Sequence, residues 1–478
     1  MPTTKRAGSA SLKRPAAAKA KVKPERQTPR QEIEEETLTG EAWQFDYFLE
    51  HLMEKSGHYF SSDKPPKLMV ASGCDGTGLP HYVLNNLTQC QTRCITGSEI
   101  KTPAALFLLK QRGQTMHFDH LMTDIAHTVR GKGPCWVHNR CCTLSDEHLK
   151  NLDLFVSGFS CKLNSAANSR RWESDPIDLE KPECQTFVQS VEFVKKYSPK
   201  FYLFENVLGA CKTRGSGQTE SPKAWYERYL SDNLPEFTHQ SVIVDALPMS
   251  EARSRLLLLG SSVPTFSALG WASQTTELND ICSKFFRHDA ATNFSWSEKG
   301  PSTYLVNLKN DVDYHRCFAE ACQSLGVEEK AVAAKRLLES DKPKPVEQRA
   351  SQTLKHMAPW YRAQADVYEM MLEGAGIGKS DPLADLSQTV DRGHYRSDGC
   401  LNVLTTGAMW YNFAKKGFMT KSDYMVALGF GKSDMNADCL TLSELRDLCG
   451  NGMRAPMLIK AFLPILTHLK FFQKGTAE

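Results

Sequence analysis

The sequence predicts an α/β fold: a mostly parallel sheet with helices on both faces, plus an inserted smaller region. Two observations predict it. Between residues 67 and 262, apolar runs of strand length alternate with helix-spaced apolar patterns. Such alternation is what successive strand–helix–strand units produce. From 263 to about 399 the alternation loosens, and core-like character then returns.

The elements follow in order. EAWQFDYFLEHLMEKS (41–56) places apolar residues at helical spacing. KLMVASGCDGTGLPHYVLNN (67–86) reads as strand, glycine-rich turn and helix. TRCITGSEI (92–100) is a second strand, and TPAALFLLKQRG (102–113) a helix opened by Thr102-Pro103 and stopped by Gly113. A third strand ends near Asp124, followed by a loop bearing Cys and His. LDLFVSGF (152–159) and KFYLFENV (200–207) are strands, with a helix over 184–199 between them. SVIVDAL (241–247) and RSRLLLLGSS (253–262) are two more strands. Helical patterns recur at 327–340 and 351–372, separated by KPKP and polar loops. The domain reading is a tail at 1–40, a catalytic domain at 41–262, an inserted region at 263–399 and a return to the catalytic domain at 400–478.

The chain carries a formal net charge of only +3, so its totals do not point to nucleic acid. The distribution says more. Residues 1–30 hold nine Lys/Arg against one Glu, and QEIEEE follows at 31–36. Rich in Ala, Pro and Lys, this tail cannot bury enough surface to fold alone. KRPAAAKAKVKPER (13–26) has two basic clusters around an Ala-rich spacer, the pattern of a bipartite nuclear localisation signal; the expected location is the nucleus. No apolar run reaches the roughly 18 residues of a membrane helix, and residues 1–30 lack the apolar core of a secretory signal. Fifteen cysteines without secretion imply reduced thiols. Cys135-x-x-His138-x-x-Cys141-Cys142 has metal-ligand residue types, but its spacing fits no common zinc module, so incidental or buried thiols are the expectation and no metal is assigned.

In a parallel sheet, functional residues gather at the carboxyl ends of strands. Glu99, Asp124, Cys161 and Glu205 all fall at such ends. Glycines in SGCDGTG (72–78) let a ligand approach the backbone, and an acid about 20 residues on can hold ribose hydroxyls. Asp124 could accept an adenine amino proton, with Ile100 and Ile125 sandwiching the ring. Turn, acid, acid, at three consecutive strand ends, suit an adenosine-bearing cofactor. Cys161 sits in GFSCKLNSAANSRR (158–171), too polar to be core, and is a candidate nucleophile. Glu205, in an apolar strand end, is a candidate acid with a raised pKa. Arg253 and Arg255 share one face by alternation and are either clamps or surface charges.

With those motifs in place, the chain resembles the S-adenosylmethionine-dependent cytosine-C5 DNA methyltransferase family. SGCDGTGL, SEI, TDI, GFSCKLNS, FENV, EARSR and LCGNGMRAPM follow the family's motif order, over most of 67–262 and 400–470. The resemblance implies a Rossmann-like methyltransferase fold, with 263–399 as the target-recognition region. It implies S-adenosyl-L-methionine held by Cys74, Asp75, Gly76, Gly78, Glu99, Ile100, Asp124, Ile125 and Asn451. It assigns Cys161 as nucleophile on cytosine C6, Glu205 to N3 and Arg255 to O2. On the substrate side, Ser160 and Arg253 would meet the flipped-out base, Asn206 would brace the loop before Cys161, and Arg170 and Arg171 would grip phosphates or stand as plain surface charges. Three positions depart from the pattern. Ser160 replaces a proline, Lys162 replaces a glutamine and Cys74 stands where an aromatic is usual. Lys162 could lower the thiol pKa or hold a phosphate. DNA is the expected polymer, RNA less so, and no chromatin-reading module is recognisable. Two alternatives stay open: a transfer-RNA cytosine methyltransferase of the same family, and a catalytically silent relative.

Overall fold

The structure is a computed structural model and describes residues 44–62, 65–165, 168, 179–213, 220–249, 251, 253–285, 290, 294–297, 311–324, 354, 357–374, 382–432 and 434–475. The helical pattern at 327–340, the signal at 13–26 and the pair Arg170 and Arg171 lie outside the described residues.

The elements run α1 (Phe45–Ser56), β1 (His58–Phe60), β2 (Leu68–Gly73), α2 (Leu79–Leu87), β3 (Thr92–Ser98), α3 (Thr102–Gln111), β4 (Phe118–Met122), α4 (Ile125–Arg130), β5 (Lys132–Cys135), β6 (Arg140–Thr143), α5 (Asp146–Leu149) and β7 (Leu154–Ser157). Then come α6 (Pro182–Tyr197), β8 (Phe201–Val207), α7 (Pro222–Asn233), β9 (Thr238–Asp245), β10 (Ser254–Ser261) and α8 (Ala268–Phe285). Among the described residues, nine strands form one sheet in the order β6-β5-β4-β3-β2-β7-β8-β10-β9. Its centre, from β4 to β8, is parallel. Both edges are antiparallel. The antiparallel edges correct two details of the sequence reading. The segment read as a Cys/His loop is the β5–β6 hairpin. The short connection between β9 and β10 forces them to pair antiparallel, since a parallel crossover needs a dozen residues or more.

The sheet is covered on both faces. One face packs a core that includes Val70, Leu154, Leu203 and Leu257, and the other a core that includes Phe155, Phe193, Phe204 and Leu256. This explains why RLLLLG in β10 is apolar without alternation: strands buried on both faces read as continuous apolar runs. Strand order reverses between β2 and β7, so their carboxyl ends flank the topological switch point, where open α/β sheets bind ligands.

The chain does not change body at residue 262. Helix α8 lies against β9, and Trp271 Nε1 donates to the Ala461 carbonyl at 2.9 Å on the buried helix Ala455–His468. A second sheet, β12-β11-β13-β14, uses β11 (Leu383–Asp385), β12 (Tyr395–Arg396), β13 (Trp410–Asn412) and β14 (Gly417–Phe418), and so crosses residue 399. A third core joins it to the helices Asp311–Ser324 and Pro359–Gly374. Strand β15 (Phe472–Lys474) returns to pair with β1. No helix of the described residues is long and apolar enough to cross a membrane.

Candidate active site

At the switch point, the turn after β2 opens a cavity of about 320 Å³, within the usual size of a ligand cleft. Its lining includes Cys74, Gly76, Glu99, Ile100, Asp124, Ile125 and Asn451 as a first group, and Ser160, Cys161, Glu205, Arg253 and Arg255 as a second, with Lys162 and Glu183 also at its wall.

The first group is built by backbone donors. Gly76 N–H donates to Glu99 Oε2 at 2.8 Å, and Lys101 N–H donates to Oε1 at 2.7 Å. Both oxygens are oriented, yet a carboxylate offers about four acceptor sites, so capacity remains for ligand hydroxyls. Burial pushes the Glu99 carboxyl up, and these two hydrogen bonds pull against it. Asp124 caps α4 by accepting from Ala126 N at 2.8 Å, which leaves its second oxygen for the cavity. Ile125 is buried, whereas Ile100 is 70% exposed and forms an open rim.

Two residues predicted to hold the cofactor make structural contacts and do not border this cavity. The Asp75 carboxylate accepts from Ser98 N at 2.7 Å and meets His81 Nε2 at 3.1 Å, so it pins the turn to β3 rather than facing the main cavity. Gly78, with φ +67°, starts α2, and a Cβ there would stand 2.6 Å from Leu108 and Met116. Its missing side chain serves helix packing, not ligand approach.

The second group converges from three strands. Glu205 faces Leu257 across the β8–β10 ladder, and Arg255 stands two residues along the same face. Arg255 Nε lies 2.9 Å from Glu205 Oε1. This is an ion pair by approach only; the Nε–H has no aligned hydrogen-bond acceptor. Burial and the Arg253 charge push the Arg255 guanidinium down, while Glu205 holds it up. Cys161 opens a turn in which Asn164 N and Ser165 N donate to its carbonyl at 2.9 and 2.8 Å. Burial, then the Glu205 charge, push its thiol up; Arg255 and Arg253 pull it down. Three groups far apart in sequence therefore act on one another electrostatically. A thiol, a carboxyl and a guanidinium meet in the cavity that Glu99 and Asp124 also border.

Residues 72–222 match the family model described as C-5 cytosine-specific DNA methylase. That span holds the glycine turn, Glu99, Asp124, Cys161 and Glu205. Residues 72–222 thus resemble the cytosine-C5 methylase family over about a third of the chain. Arg255 and Asn451 lie beyond the matched span, and the fold brings both to the same cavity.

The chain is also similar to Spodoptera frugiperda DNMT2, at 12% identity over 83% of this chain and 98% of that one, with a TM-score of 0.40. It is similar to S. pombe Dnmt2 methyltransferase at 14% identity, over 84% and 98%, with a TM-score of 0.40. An E. coli chain described as a prophage-encoded DNA modification methyltransferase matches at 12% identity, over 84% and 99%, with a TM-score of 0.39. No curated protein matches the chain.

The remaining predicted residues divide by what they touch. Asn206 is fully buried; its Nδ2 donates to the Phe159 carbonyl at 3.3 Å and its Oδ1 accepts from Asn164 at 3.1 Å. It braces the loop of Cys161 and does not itself border the cavity. Ser160 borders the cavity while its N–H donates to Thr186 Oγ1 at 2.9 Å, so α6 holds the backbone where a proline is usual in the family. Lys162 extends towards Glu183 at 3.9 Å, and the charges that bear on Cys161 are Glu205, Arg255 and Arg253 instead. The thiol is raised, not lowered.

Arg253 borders the cavity with its terminal nitrogens already engaged. Nη1 donates to Glu251 at 3.1 Å and to the Leu404 carbonyl at 3.3 Å; Nη2 donates to the carbonyls of Gly450 and Gly452 at 3.1 and 3.0 Å. The Glu251 carboxylate also receives Arg454 Nε and, at 2.7 Å, Leu404 N. Burial pushes Glu251 up, but Arg454 and Arg253 outweigh it and hold it below the usual carboxylate range. This network locks residues 404 and 449–454 to the nine-stranded sheet and carries Asn451 to the cavity. Glu251 and Arg454 stood inside quoted motifs, EARSR and LCGNGMRAPM, yet their mutual pairing across 203 positions has no local signal. Trp136, whose Nε1 donates to the Glu99 carbonyl at 2.8 Å, was missed for the same reason.

The raised thiol gives a pH prediction. In the free protein, iodoacetamide labelling of Cys161 rises only above the ordinary thiol range, because the raised pKa keeps the thiolate scarce below it. Glu205→Gln moves the labelling midpoint to lower pH by removing the negative neighbour, and Arg255→Ala moves it higher. Peptide mass spectrometry across a pH series checks both directions; a midpoint indifferent to Glu205→Gln would show that the two groups do not interact.

Proposed function

We propose that the chain is a DNA (cytosine-5)-methyltransferase using S-adenosyl-L-methionine and a covalent Cys161–cytosine adduct. The observation that carries this is the shared cavity, in which Cys161, Glu205 and Arg255 adjoin the Glu99 and Asp124 strand ends. The donor set fits the cofactor: Glu99 and Asp124 would take ribose and adenine, with Ile125 against the ring. When bound, S-adenosylmethionine supplies an electrophilic methyl group.

The chain's own residues prepare the acceptor. C5 of cytosine is a poor nucleophile. The Cys161 thiol loses its proton, and the thiolate adds to C6, which makes C5 enamine-like. Glu205 hydrogen-bonds or protonates N3, so negative charge does not build on the ring. Arg255 holds O2. After methylation C5 loses its proton, the C6–S bond breaks and the C5–C6 double bond returns. The geometry adds a trigger: Glu205 helps keep the thiol protonated until its charge is shared with a base at N3. In a duplex the target carbon is stacked, so the base must swing into the cavity, at a cost of about a few kcal/mol.

DNA is favoured by the family model's description and by the basic segment 13–26, which would also direct the protein to the nucleus. Bisulfite sequencing of mixed-sequence duplex DNA after incubation with the protein and S-adenosylmethionine tests the reading, with transfer RNA in parallel. Protected cytosines in the DNA support it. Methylation confined to transfer RNA overturns the polymer, and methylation of neither overturns the enzyme.

A further inference from the structure

The β5–β6 hairpin carries a second cluster of chemically capable side chains, on the sheet away from Cys161. His120 of β4, Cys135 at the end of β5, His138 in the hairpin turn and Cys142 of β6 place one donor atom each within 4.8 Å of the others. Cys135 Sγ lies 3.4 Å from His138 Nδ1 and 3.9 Å from His120 Nδ1; Cys142 Sγ lies 3.5 Å from His138 Nδ1. We infer that these four residues bind one zinc ion, which staples the edge hairpin to the strand beside the cofactor pocket.

The distances suit the metal. Tetrahedral zinc with ligands at about 2.0–2.3 Å has ligand–ligand edges of about 3.3–3.8 Å. Two sulfurs and two imidazole nitrogens are a zinc donor set, and two thiolates neutralise the dication. Binding converts both thiols to thiolates, and their protons pass to solvent. The ladder also disfavours a direct disulfide. Cys135 pairs with Arg140 and Cys142 with Gly133, so the two cysteines are diagonal neighbours on one face, separated by about 7–8 Å between backbones. Cys141 falls on the other face and is exposed. The spacing in the sequence suggested Cys141 beside Cys142; the fold replaces it with His120 from another strand.

The site has a structural task. Trp136, next to Cys135, donates its backbone N–H to the Leu121 carbonyl at 2.7 Å and its indole N–H to the Glu99 carbonyl at 2.8 Å. Fixing the hairpin therefore fixes the peptide of a residue that orients the cofactor side of the cavity. Strand β5 has few ladder bonds of its own to β4, with one paired residue couple between them.

The test is metal analysis of the full chain, purified under reducing conditions without chelator. The expected result is one zinc per chain, retained in Cys141→Ser and lost in Cys135→Ser and Cys142→Ser. His138→Ala, at an exposed turn position, folds without disturbing the core and weakens zinc at least tenfold in competition with a chromophoric chelator, since even outer-shell partners are worth about 10–100-fold. Cobalt replacing zinc gives the visible bands of a tetrahedral thiolate site. A reduced, folded protein that takes up neither metal overturns the inference. So does a loss of zinc in Cys141→Ser equal to that in Cys142→Ser, or a native Cys135–Cys142 disulfide by mass. Each readout is independent of methyl transfer, so failure here leaves the proposed reaction standing.

Discussion

Cys161→Ala abolishes methyl transfer to cytosine, with turnover falling by about 10⁴-fold or more, the scale seen when a nucleophile is removed. The reason is specific to the acceptor. Without sulfur on C6, C5 of cytosine has no enamine character, and no other side chain bordering the cavity pairs a nucleophile with a neighbouring carboxyl and guanidinium. Cys74 borders the same cavity, but burial first, and then the charges of Glu99, Asp75 and Asp124, push its thiol up without any cation to oppose them. Cys74→Ala therefore keeps the ability to form a covalent complex with 5-fluorocytosine DNA, and Cys161→Ala loses it. Gel shift under denaturing conditions reads both. An adduct that survives in Cys161→Ala would identify a different nucleophile and end the proposal.

Glu251→Ala destabilises the fold by about 3–5 kcal/mol, the usual cost of removing one partner from a buried ion pair. Glu251 has no exposed surface, and its loss leaves Arg253 and Arg454 buried side by side with no opposing charge. Burial and the mutual repulsion of these two cations already push Arg454 down to about 10. Glu251→Gln is milder, because the amide oxygen still accepts from Leu404 N. Urea denaturation followed by tryptophan fluorescence measures the difference; a midpoint within error of wild type would show that the network does not hold the C-terminal segment to the sheet.

The hairpin cluster and the Glu251 network share a feature with two residues of the glycine turn. Asp75 and Gly78 sit where a cofactor contact is expected, and both turn instead to neighbours contributed by other elements, Ser98 and His81 for one, Leu108 and Met116 for the other. Asn206 follows Glu205 directly, yet strand alternation sends one side chain to the cavity and the other into the support of the Cys161 loop.

The sequence by itself determined where strands stop. Apolar runs ending in Glu99, Asp124, Cys161 and Glu205 are local signals, set by which residues leave the buried sheet, and at strand ends a parallel sheet can only deliver them to one rim. The antiparallel edges, the pairing of Arg253 with Glu251 and backbone carbonyls, and the recruitment of His120 to Cys135, His138 and Cys142 were decided by tertiary structure alone. Each depends on which distant segment becomes a neighbour, and that choice is made by packing and charge compensation across the whole core, which no spacing along the chain records.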